Sequence, residues 1–367
     1  MMKIVFVGGG TLGPVMPLIA VWQVLKTKQS EAEYAWIGTP NGPEKKLIEE
    51  RGISFYALPV LKFPRYPSIL WITFPFQWWR VHRKAKRLIE QLRPDIVVTA
   101  GGFTAVPIVA AARQSKIPCV THQLDLEPGL ANQKIARACT RITTSFDYAR
   151  NPFGNQVKTE RIATPVHLAI DQTPSKQEAS KHFHLQADKP ITLIFGGGTG
   201  AQSLNEMLEH SLPQWLTFTQ IIHGTGQGKG FGQHMNHLKG FFQTELFDKR
   251  MLDAYAAADL IICRGGMGSL SEISALKKAM IIVPIPNSQQ EANAHAFEKA
   301  GAAIVVHQKT KTFQQDLIST AQKLLQDEYE RYAMGERAYK FFPTDDGSAL
   351  AEKILQVLKN EPIRGSK

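Results

Sequence analysis

Phe6-Val7-Gly8-Gly9-Gly10-Thr11-Leu12-Gly13 stands at the start of the chain, and Ile194-Phe195-Gly196-Gly197-Gly198-Thr199-Gly200-Ala201 repeats its form near the middle. Each reads as a buried strand, a glycine turn and the opening of a helix. A first strand with this turn opens a doubly wound parallel sheet, so two openings imply two sheets. The runs around them agree. Ile4–Val7, Tyr34–Ile37, Ile96–Thr99, Cys119–Thr121 and Ile142–Thr144 read as buried strands. So do Thr192–Phe195, Gln220–His223, Leu260–Cys263 and Ile281–Val283. Pro17–Lys26, Ala85–Gln91 and Leu270–Leu276 read as helices between them. Strand alternating with helix implies parallel sheets covered on both faces. The predicted fold class is α/β, with two Rossmann-like domains. The boundary is expected in Ala163–Ser180, a polar run with Pro165 and Pro174. That gives one domain over 1–165 and a second over 166–340.

The chain has 367 residues, enough for two domains with a sizeable core in each. Apolar residues are 43% and charged residues 20%, which excludes a disordered chain. Basic residues number 43 against 32 acidic, a net +11, so an anionic partner is expected. Cys119, Cys139 and Cys263 have no C-x-x-C spacing and suit a reducing compartment. The first apolar run is short and leads directly into the glycine turn, unlike a signal peptide. No apolar stretch reaches membrane-spanning length.

The glycine turns suit phosphate, because backbone N–H groups and a helix N-terminus can approach phosphate oxygens there. A dinucleotide site also needs an acidic residue at the end of the second strand. Here the strands end Trp36-Ile37-Gly38-Thr39 and Ile222-His223-Gly224-Thr225, without that carboxylate. No Walker lysine follows either loop. Dehydrogenases and P-loop enzymes are therefore disfavoured. A third turn reads Arg264-Gly265-Gly266-Met267-Gly268-Ser269-Leu270-Ser271-Glu272. Ser269 and Glu272 have the spacing of a capping box. Glu272 equally suits a ribose diol, since a carboxylate offers two acceptor oxygens to two hydroxyls. The strand that follows ends in an amide-rich loop, Asn287-Ser288-Gln289-Gln290-Glu291-Ala292-Asn293, of a kind that can grip sugar hydroxyls.

These residues together resemble the MurG family of bacterial transferases, from Lys3 to about Gln308. Ala254–Glu272 and Gln289-Gln290…Asn293…Glu298–Ala303 carry the resemblance most strongly. Gly101-Gly102-Phe103 and His122…Gly129-Leu130-Ala131-Asn132 support it. The resemblance implies the GT-B fold, with the active site in a cleft between the two domains. It implies inverting transfer of N-acetylglucosamine from UDP-N-acetylglucosamine to the lipid-linked muramyl-pentapeptide (lipid I to lipid II), with no cofactor and no required metal. A last helix within 341–367 would pack back on the first domain. Gly198, Thr199 and Gly200 would lie by the phosphates, and Phe247 and Asp248 by the uracil. Met267, Gly268, Ser269, Leu270 and Ser271 would line the diphosphate and base pocket. Glu272 would hold the ribose, and Gln289 and Gln290 the sugar. Thr11, Leu12 and Gly13 would close from the first domain. The sequence departs from the family at Pro14, where a histidine is usual, and at His167, where Thr164-Pro165-Val166-His167 replaces Asn-Pro-Val-Arg at a substrate-binding position. It also has Gly196-Gly197-Gly198-Thr199-Gly200 for Gly-Gly-Ser-Gln-Gly, and His122-Gln123-Leu124-Asp125 for His-Glu-Gln-Asn.

An inverting transfer needs a base for the acceptor hydroxyl. With proline at 14, the candidates are Asp125 first and His122 second. His122 also fits a buried structural histidine. His182/His184 and His234/His237 lack the cysteine or carboxylates that would complete a metal site, so they read as surface histidines. Trp71, Phe74, Phe76, Trp78 and Trp79 precede Arg80, Arg83 and Lys84. Aromatic rings beside cations suit an anionic membrane surface. The same rings could instead fill the first core. Nucleic acid is a distant alternative, since no such module is visible. The protein is therefore expected at the cytoplasmic face of the cell membrane, held peripherally. A transferase acting on another lipid such as diacylglycerol, or a non-catalytic binder of UDP-sugar or lipid, would use the same fold.

Overall fold

The computed structural model describes residues 1–60, 70–197, 200–231, 238–247 and 250–360. It divides into two units, Met1–His167 with the segment from Asp345 onward, and Leu168–Thr344. In chain order the first unit contains β1 (Lys3–Val7), α1 (Met16–Lys28), β2 (Glu33–Gly38), α2 (Glu44–Glu49), β3 (Ser54–Ala57), α3 (Leu70–Leu92) and β4 (Ile96–Thr99). It continues with α4 (Ala105–Gln114), β5 (Cys119–Gln123), α5 (Leu130–Ala136), β6 (Arg141–Thr144), β7 (Thr159–Arg161) and β8 (Thr164–Pro165). The second unit contains α6 (Lys176–Lys181), β9 (Ile191–Phe195), α7 (Gln202–Trp215), β10 (Gln220–Gly224), β11 (Phe241–Thr244), α8 (Met251–Ala257) and β12 (Leu260–Cys263). After these come α9 (Met267–Ala275), β13 (Met280–Ile282), α10 (Gln289–Lys299), β14 (Ile304–Val305), α11 (Phe313–Gln326) and α12 (Glu328–Phe341). The chain then runs through β15 (Thr344–Asp345) into α13 (Ser348–Asn360).

The first sheet has the order β3-β2-β1-β4-β5-β6-β7, with all its pairings parallel. Ile4 to Val7 are fully buried, as a central parallel strand covered on both faces requires. One face is packed by Ala85, Leu88 and Ile89 of α3 and Ile108 and Ala112 of α4. The last helix, α13, belongs to this unit and packs on α1. Its entry is fixed where the Val166 N–H donates to the Asp345 carbonyl at 2.8 Å. The second sheet has the order β11-β10-β9-β12-β13-β14, also parallel. Ile194, Ile221, Ile262 and Ile281 meet Leu204, Leu208 and Trp215 of α7 and Leu317 and Ala321 of α11.

The buried strands expected from sequence are all present, with ends moved by at most two residues. The strands without a sequence signal are β3, β7, β11 and β14, the edges of the two large sheets, and β8 and β15, which pair with each other. An edge strand is covered less completely and lacks the continuous apolar run. Thr159–Arg161, for example, has two exposed residues of three.

Each sheet reverses direction beside its first strand, at β1/β4 in one and β9/β12 in the other. A crevice opens at the carboxyl ends of the strands at such a point. In the first sheet the loop after β1 is held from within, on the β2 side. Glu44, at the start of α2, is fully buried. Its carboxylate accepts the Thr39 N–H and hydroxyl, both at 2.6 Å, and the Gly10 N–H at 3.2 Å. Trp36 Nε1 donates to the Gly8 carbonyl at 2.8 Å and holds the same loop from below. Replacing Glu44 with alanine strands these donors without a partner. Glu44→Ala is expected to lower the unfolding free energy of this unit by about 3 kcal/mol, and Glu44→Gln by less, measured by urea denaturation.

Candidate active site

The carboxyl edge of the first sheet gathers the loops after β1, β4 and β5. Thr11 and Gly13 are exposed, and Leu12 is partly covered. The Leu12 carbonyl accepts the N–H groups of Val15 and Met16, each at 3.0 Å, and so starts α1. Gly10 has φ +81°, and a side chain there would lie 2.6 Å from the Phe103 ring. Only glycine fits both demands. Asn132 bridges the other two loops. Its Oδ1 accepts the Gly102 N–H at 3.2 Å, and its Nδ2 donates to Gln123 Oε1 at 2.5 Å. Gln123 Nε2 donates in turn to the Asp125 carbonyl at 2.7 Å, and the Tyr148 hydroxyl reaches the same carbonyl at 3.4 Å. The two motif stretches of the first unit are thus one hydrogen-bonded network, with the partly buried Asp125 held at its end. Burial pushes the Tyr148 phenol above its ordinary range, and the Asp125 charge adds to this.

Two sequence expectations fail here. His122 is fully buried, with Nδ1 at 2.9 Å from the Thr143 hydroxyl and Nε2 at 3.1 Å from the Ser145 hydroxyl. Burial lowers its pKa to about 3, which leaves the ring neutral and without solvent access. This fits the alternative sequence reading, a buried structural histidine, and disfavours a base. His167 is also the wrong group for a substrate-binding cation. It sits between Gln23 Oε1, 3.1 Å from Nδ1, and Arg51 Nη2, 3.1 Å from Nε2. Burial, then the Arg51 charge, lowers its pKa to about 4, so the ring is neutral near neutral pH.

At the second sheet, Gly200 has φ +70°, and a side chain there would lie 2.2 Å from the Thr225 carbonyl oxygen. Gly198 and Thr199 lie outside the described residues, as does Asp248. No side chain caps the start of α7 or of α9. Helix α9 begins at Met267 with Gly266 as its N-cap, so Ser269 is inside the helix and no capping box forms. Met267, Leu270 and Ser271 turn into the core, and the Ser271 hydroxyl donates to the Met267 carbonyl at 2.7 Å. Their side chains therefore do not line a pocket. Gly266, Gly268, Ser269 and Glu272 are the partly accessible members of this turn, with open space above Gly268. Glu272 Oε2 accepts the Tyr255 hydroxyl at 2.8 Å. Burial raises its pKa to about 7, against the lowering effect of that hydrogen bond.

Beneath this edge lies Arg264, 8% exposed. Nη1 donates to the Val283 carbonyl at 2.9 Å and to Gln308 Oε1 at 2.7 Å, and Nη2 donates to the Ser203 hydroxyl at 2.7 Å. Among the described residues it has no carboxylate partner. Ser203 lies in the first turn of α7, so an unneutralised cation sits by two uncapped helix starts. Two helix dipoles and a cation favour a dense anion such as a diphosphate. Asn293 is buried, and its Nδ2 donates to the Gly265 carbonyl at 3.0 Å, which fixes the turn. Gln289 is exposed, while Gln290 Oε1 accepts the Ile285 N–H at 3.2 Å. Phe247 is buried against Phe183, with ring centroids 6.5 Å apart, so its side chain belongs to the core. His182 Nδ1 pairs with Asp253 at 2.8 Å, and His234 and His237 lie outside the described residues. Among the described residues no group of three or more histidine, cysteine or acidic side chains is placed to hold a metal.

Sequence reasoning did not single out Glu44, Gln123, Tyr255, Ser203 or Gln308. Their partners range from two to more than a hundred residues away, and no strand or helix period connects them. For Tyr255 one local signal existed, a lone phenol in the run Ala254-Tyr255-Ala256-Ala257-Ala258.

Comparison with known proteins adds a family. Residues 4–144 match the glycosyltransferase family 28 N-terminal domain, and residues 191–350 match the family 28 C-terminal domain. A protein of Lachnospira eligens named UDP-N-acetylglucosamine–N-acetylmuramyl-(pentapeptide) pyrophosphoryl-undecaprenol N-acetylglucosamine transferase is 34% identical over 336 residues, covering 90% of this chain and 93% of its own. A Nocardioides protein of the same name is 32% identical over 362 residues, covering 97% and 98%. The crystal structure of Acinetobacter baumannii MurG matches with a TM-score of 0.73 at 26% identity, covering 98% of this chain and all of that one. A UDP-GlcNAc 2-epimerase from Neisseria meningitidis matches at 14% identity and a TM-score of 0.66, which shows a shared fold alone.

The buried histidines carry a pH consequence. His122 and His223 are held neutral by burial, with pKa values lowered to about 3 and about 4. A depressed histidine gives stability that is present above its unfolded pKa and lost as pH falls toward the folded one. Unfolding free energy is therefore expected to fall as pH drops from about 6.5 to about 4, at up to about 1.4 kcal/mol per pH unit for each such histidine. His122→Asn should flatten that slope by one such increment, measured by urea denaturation at stepped pH.

Proposed function

The chain belongs to glycosyltransferase family 28 and, within it, to the MurG family, and we infer from that premise that it transfers N-acetylglucosamine from UDP-N-acetylglucosamine to the lipid-linked muramyl-pentapeptide of peptidoglycan synthesis. The observation that carries this reading to particular residues is the second sheet's carboxyl edge. There the open start of α9, the buried Arg264 and the Glu272 carboxylate stand within one turn of chain. The helix starts and Arg264 would hold the diphosphate and stabilise it as it leaves. Glu272 would accept from the ribose hydroxyls. Gln289 would meet the sugar together with Gln290, whose Oε1 is committed to Ile285 and whose Nε2 is left to donate.

Inversion is a single displacement. The acceptor oxygen bonds to the anomeric carbon, the bond to the diphosphate breaks with its electron pair, and the acceptor proton passes to a base. Asp125 is the proposed base, positioned through its backbone by Gln123 and Tyr148. UDP-sugar acts as a co-substrate in this scheme, and no step calls on a metal. In a full-length assay with the radiolabelled donor and a lipid-linked muramyl-pentapeptide analogue, transfer should be selective for UDP-N-acetylglucosamine over UDP-glucose. Asp125→Asn should lower kcat by about 10² or more while leaving donor affinity within about twofold. Full activity in that variant would remove Asp125 from the mechanism.

A lipid-linked acceptor calls for contact with the bilayer, and α3 supports that role. Phe76 and Trp79 are 61% and 54% exposed, so these two rings do not fill the core. Arg80 lies 5.7 Å from the Phe76 ring centre and Arg83 5.4 Å from that of Trp79. Lys84 is exposed, Trp78 is partly buried, and the side chains of Trp71 and Phe74 lie outside the described residues. The opposite face of the same helix buries Val81, Ala85, Leu88 and Ile89. None of the described helices is long and apolar enough to cross a membrane. Helix α3 would therefore lie on an anionic surface, at the cytoplasmic face, with its rings among the headgroups. Co-sedimentation with phosphatidylglycerol vesicles should fall at least about fivefold for the Phe76→Ser/Trp79→Ser double variant and weaken with added salt. Equal binding to purely zwitterionic vesicles would count against the electrostatic part.

A further inference from the structure

We propose that Tyr255 is a positioning residue that makes the nucleotide site demand both hydroxyls of a ribose. The proposal rests on the reading of Glu272 as the ribose contact and adds what fixes that contact. Tyr255 is fully buried in α8 among Ala254, Ala256 and Ala257, so it is the one bulky side chain in the buried run of that helix. The ring packs edge-on against Phe195, with centroids 6.0 Å apart. A buried phenol needs an acceptor. It finds Glu272 Oε2 at 2.8 Å.

That single hydrogen bond does two things. It ties one carboxylate oxygen and so holds the side chain in one orientation. Oε1 has no partner among the described residues. A diol can then be met by Oε1 and by the remaining lone pair of Oε2. A sugar lacking the hydroxyls leaves acceptors unpaired in a partly buried site, which costs more than the same loss in water. The bond also favours the ionised carboxylate against burial, and only the ionised form accepts from both hydroxyls.

The titratable groups facing this carboxylate are few. Tyr255 comes from α8. The Cys263 thiol at the end of β12 acts on Tyr255, and burial pushes it up to about 12, so it is neutral. Arg264 follows on the same strand end. Lys277, just past α9, pairs with Glu336 of α12 at 2.8 Å.

The test is calorimetric titration of the full chain and of Tyr255→Phe with UDP and with 2′,3′-dideoxy-UDP, between pH 6 and pH 9. The ratio of the two Kd values cancels the titration of the phosphates. In the native chain UDP should bind about ten- to hundredfold more tightly than the dideoxy compound at pH 8, and the ratio should shrink below pH 7. Tyr255→Phe should cut that ratio at least about fivefold at pH 7, leave dideoxy-UDP binding unchanged, and regain part of the ratio near pH 9. An unchanged ratio, or an equal loss for both ligands with a lowered Tm, overturns the proposal. Glu272→Gln separates the two levels of the argument. If that variant keeps the native ratio, the ribose reading of Glu272 fails with it. If it abolishes the ratio while Tyr255→Phe does not, only the role of Tyr255 falls.

Discussion

A parallel sheet sends every helix back the same way, and this constraint organises both units. Each strand delivers the chain to the carboxyl edge, and each following helix begins there with N–H groups that have no partner inside the helix. The edge is therefore rich in unsatisfied donors before any particular side chain is considered. Where the chain reverses beside β1 or β9, neighbouring helix starts diverge and a crevice opens. Whatever occupies the crevice must accept hydrogen bonds.

The two units answer that demand in opposite ways from nearly the same sequence. Gly8-Gly9-Gly10 and Gly196-Gly197-Gly198 each follow a central strand. In the first unit Glu44 swings back from α2 and supplies the acceptor from within, taking the Gly10 N–H and two Thr39 donors. An internal carboxylate in this place repels an incoming phosphate. In the second unit the corresponding edge has no such carboxylate among the described residues, and the buried guanidinium of Arg264 lies nearby instead. One loop is closed by a carboxylate of its own unit, and beside the other a cation stands that would suit an incoming anion. The motif alone cannot distinguish the two, because the deciding side chain lies outside it in both cases.

This difference also explains which parts of the molecule were legible in the sequence. The central strands were, because a strand covered on both faces must be apolar throughout, and Ile4–Val7 or Leu260–Cys263 can hardly be read otherwise. The edge strands were not, since half-covered residues such as Ser54–Ala57 carry no such rule. The site was legible as a set of motifs and much less so as side chains. Met267, Leu270, Ser271 and Phe247 stand in the right stretch of chain, but their side chains point inward. On a helix start only some positions face out, and the phase of the helix depends on where it begins. A beginning at Met267, not Ser269, rotates the whole turn and frees Glu272 from a capping role. His122 was ambiguous for a related reason, since a histidine at a strand end can face either layer. The hydroxyls of Thr143 and Ser145 that claim it lie on the neighbouring strand and just beyond its end.

The placement of Glu272 shows why a functional carboxylate needs partners that no motif records. Burial raises its pKa to about 7 even against the lowering effect of the Tyr255 hydrogen bond; without that bond it would lie higher still, and the group would offer a proton instead of an acceptor. A second buried cation would restore the charge, but it would also pair with the carboxylate and occupy the oxygens a ligand needs. A neutral phenol avoids that conflict. It donates one hydrogen bond, favours the ionised form, and leaves the remaining lone pairs unclaimed. The cation is kept instead on Arg264, where it faces the two helix starts and has amide, hydroxyl and carbonyl partners in place of a carboxylate. Separating the neutral donor from the charged one would let the same short edge present an acceptor to hydroxyls and a positive field to phosphate, as the proposed function requires.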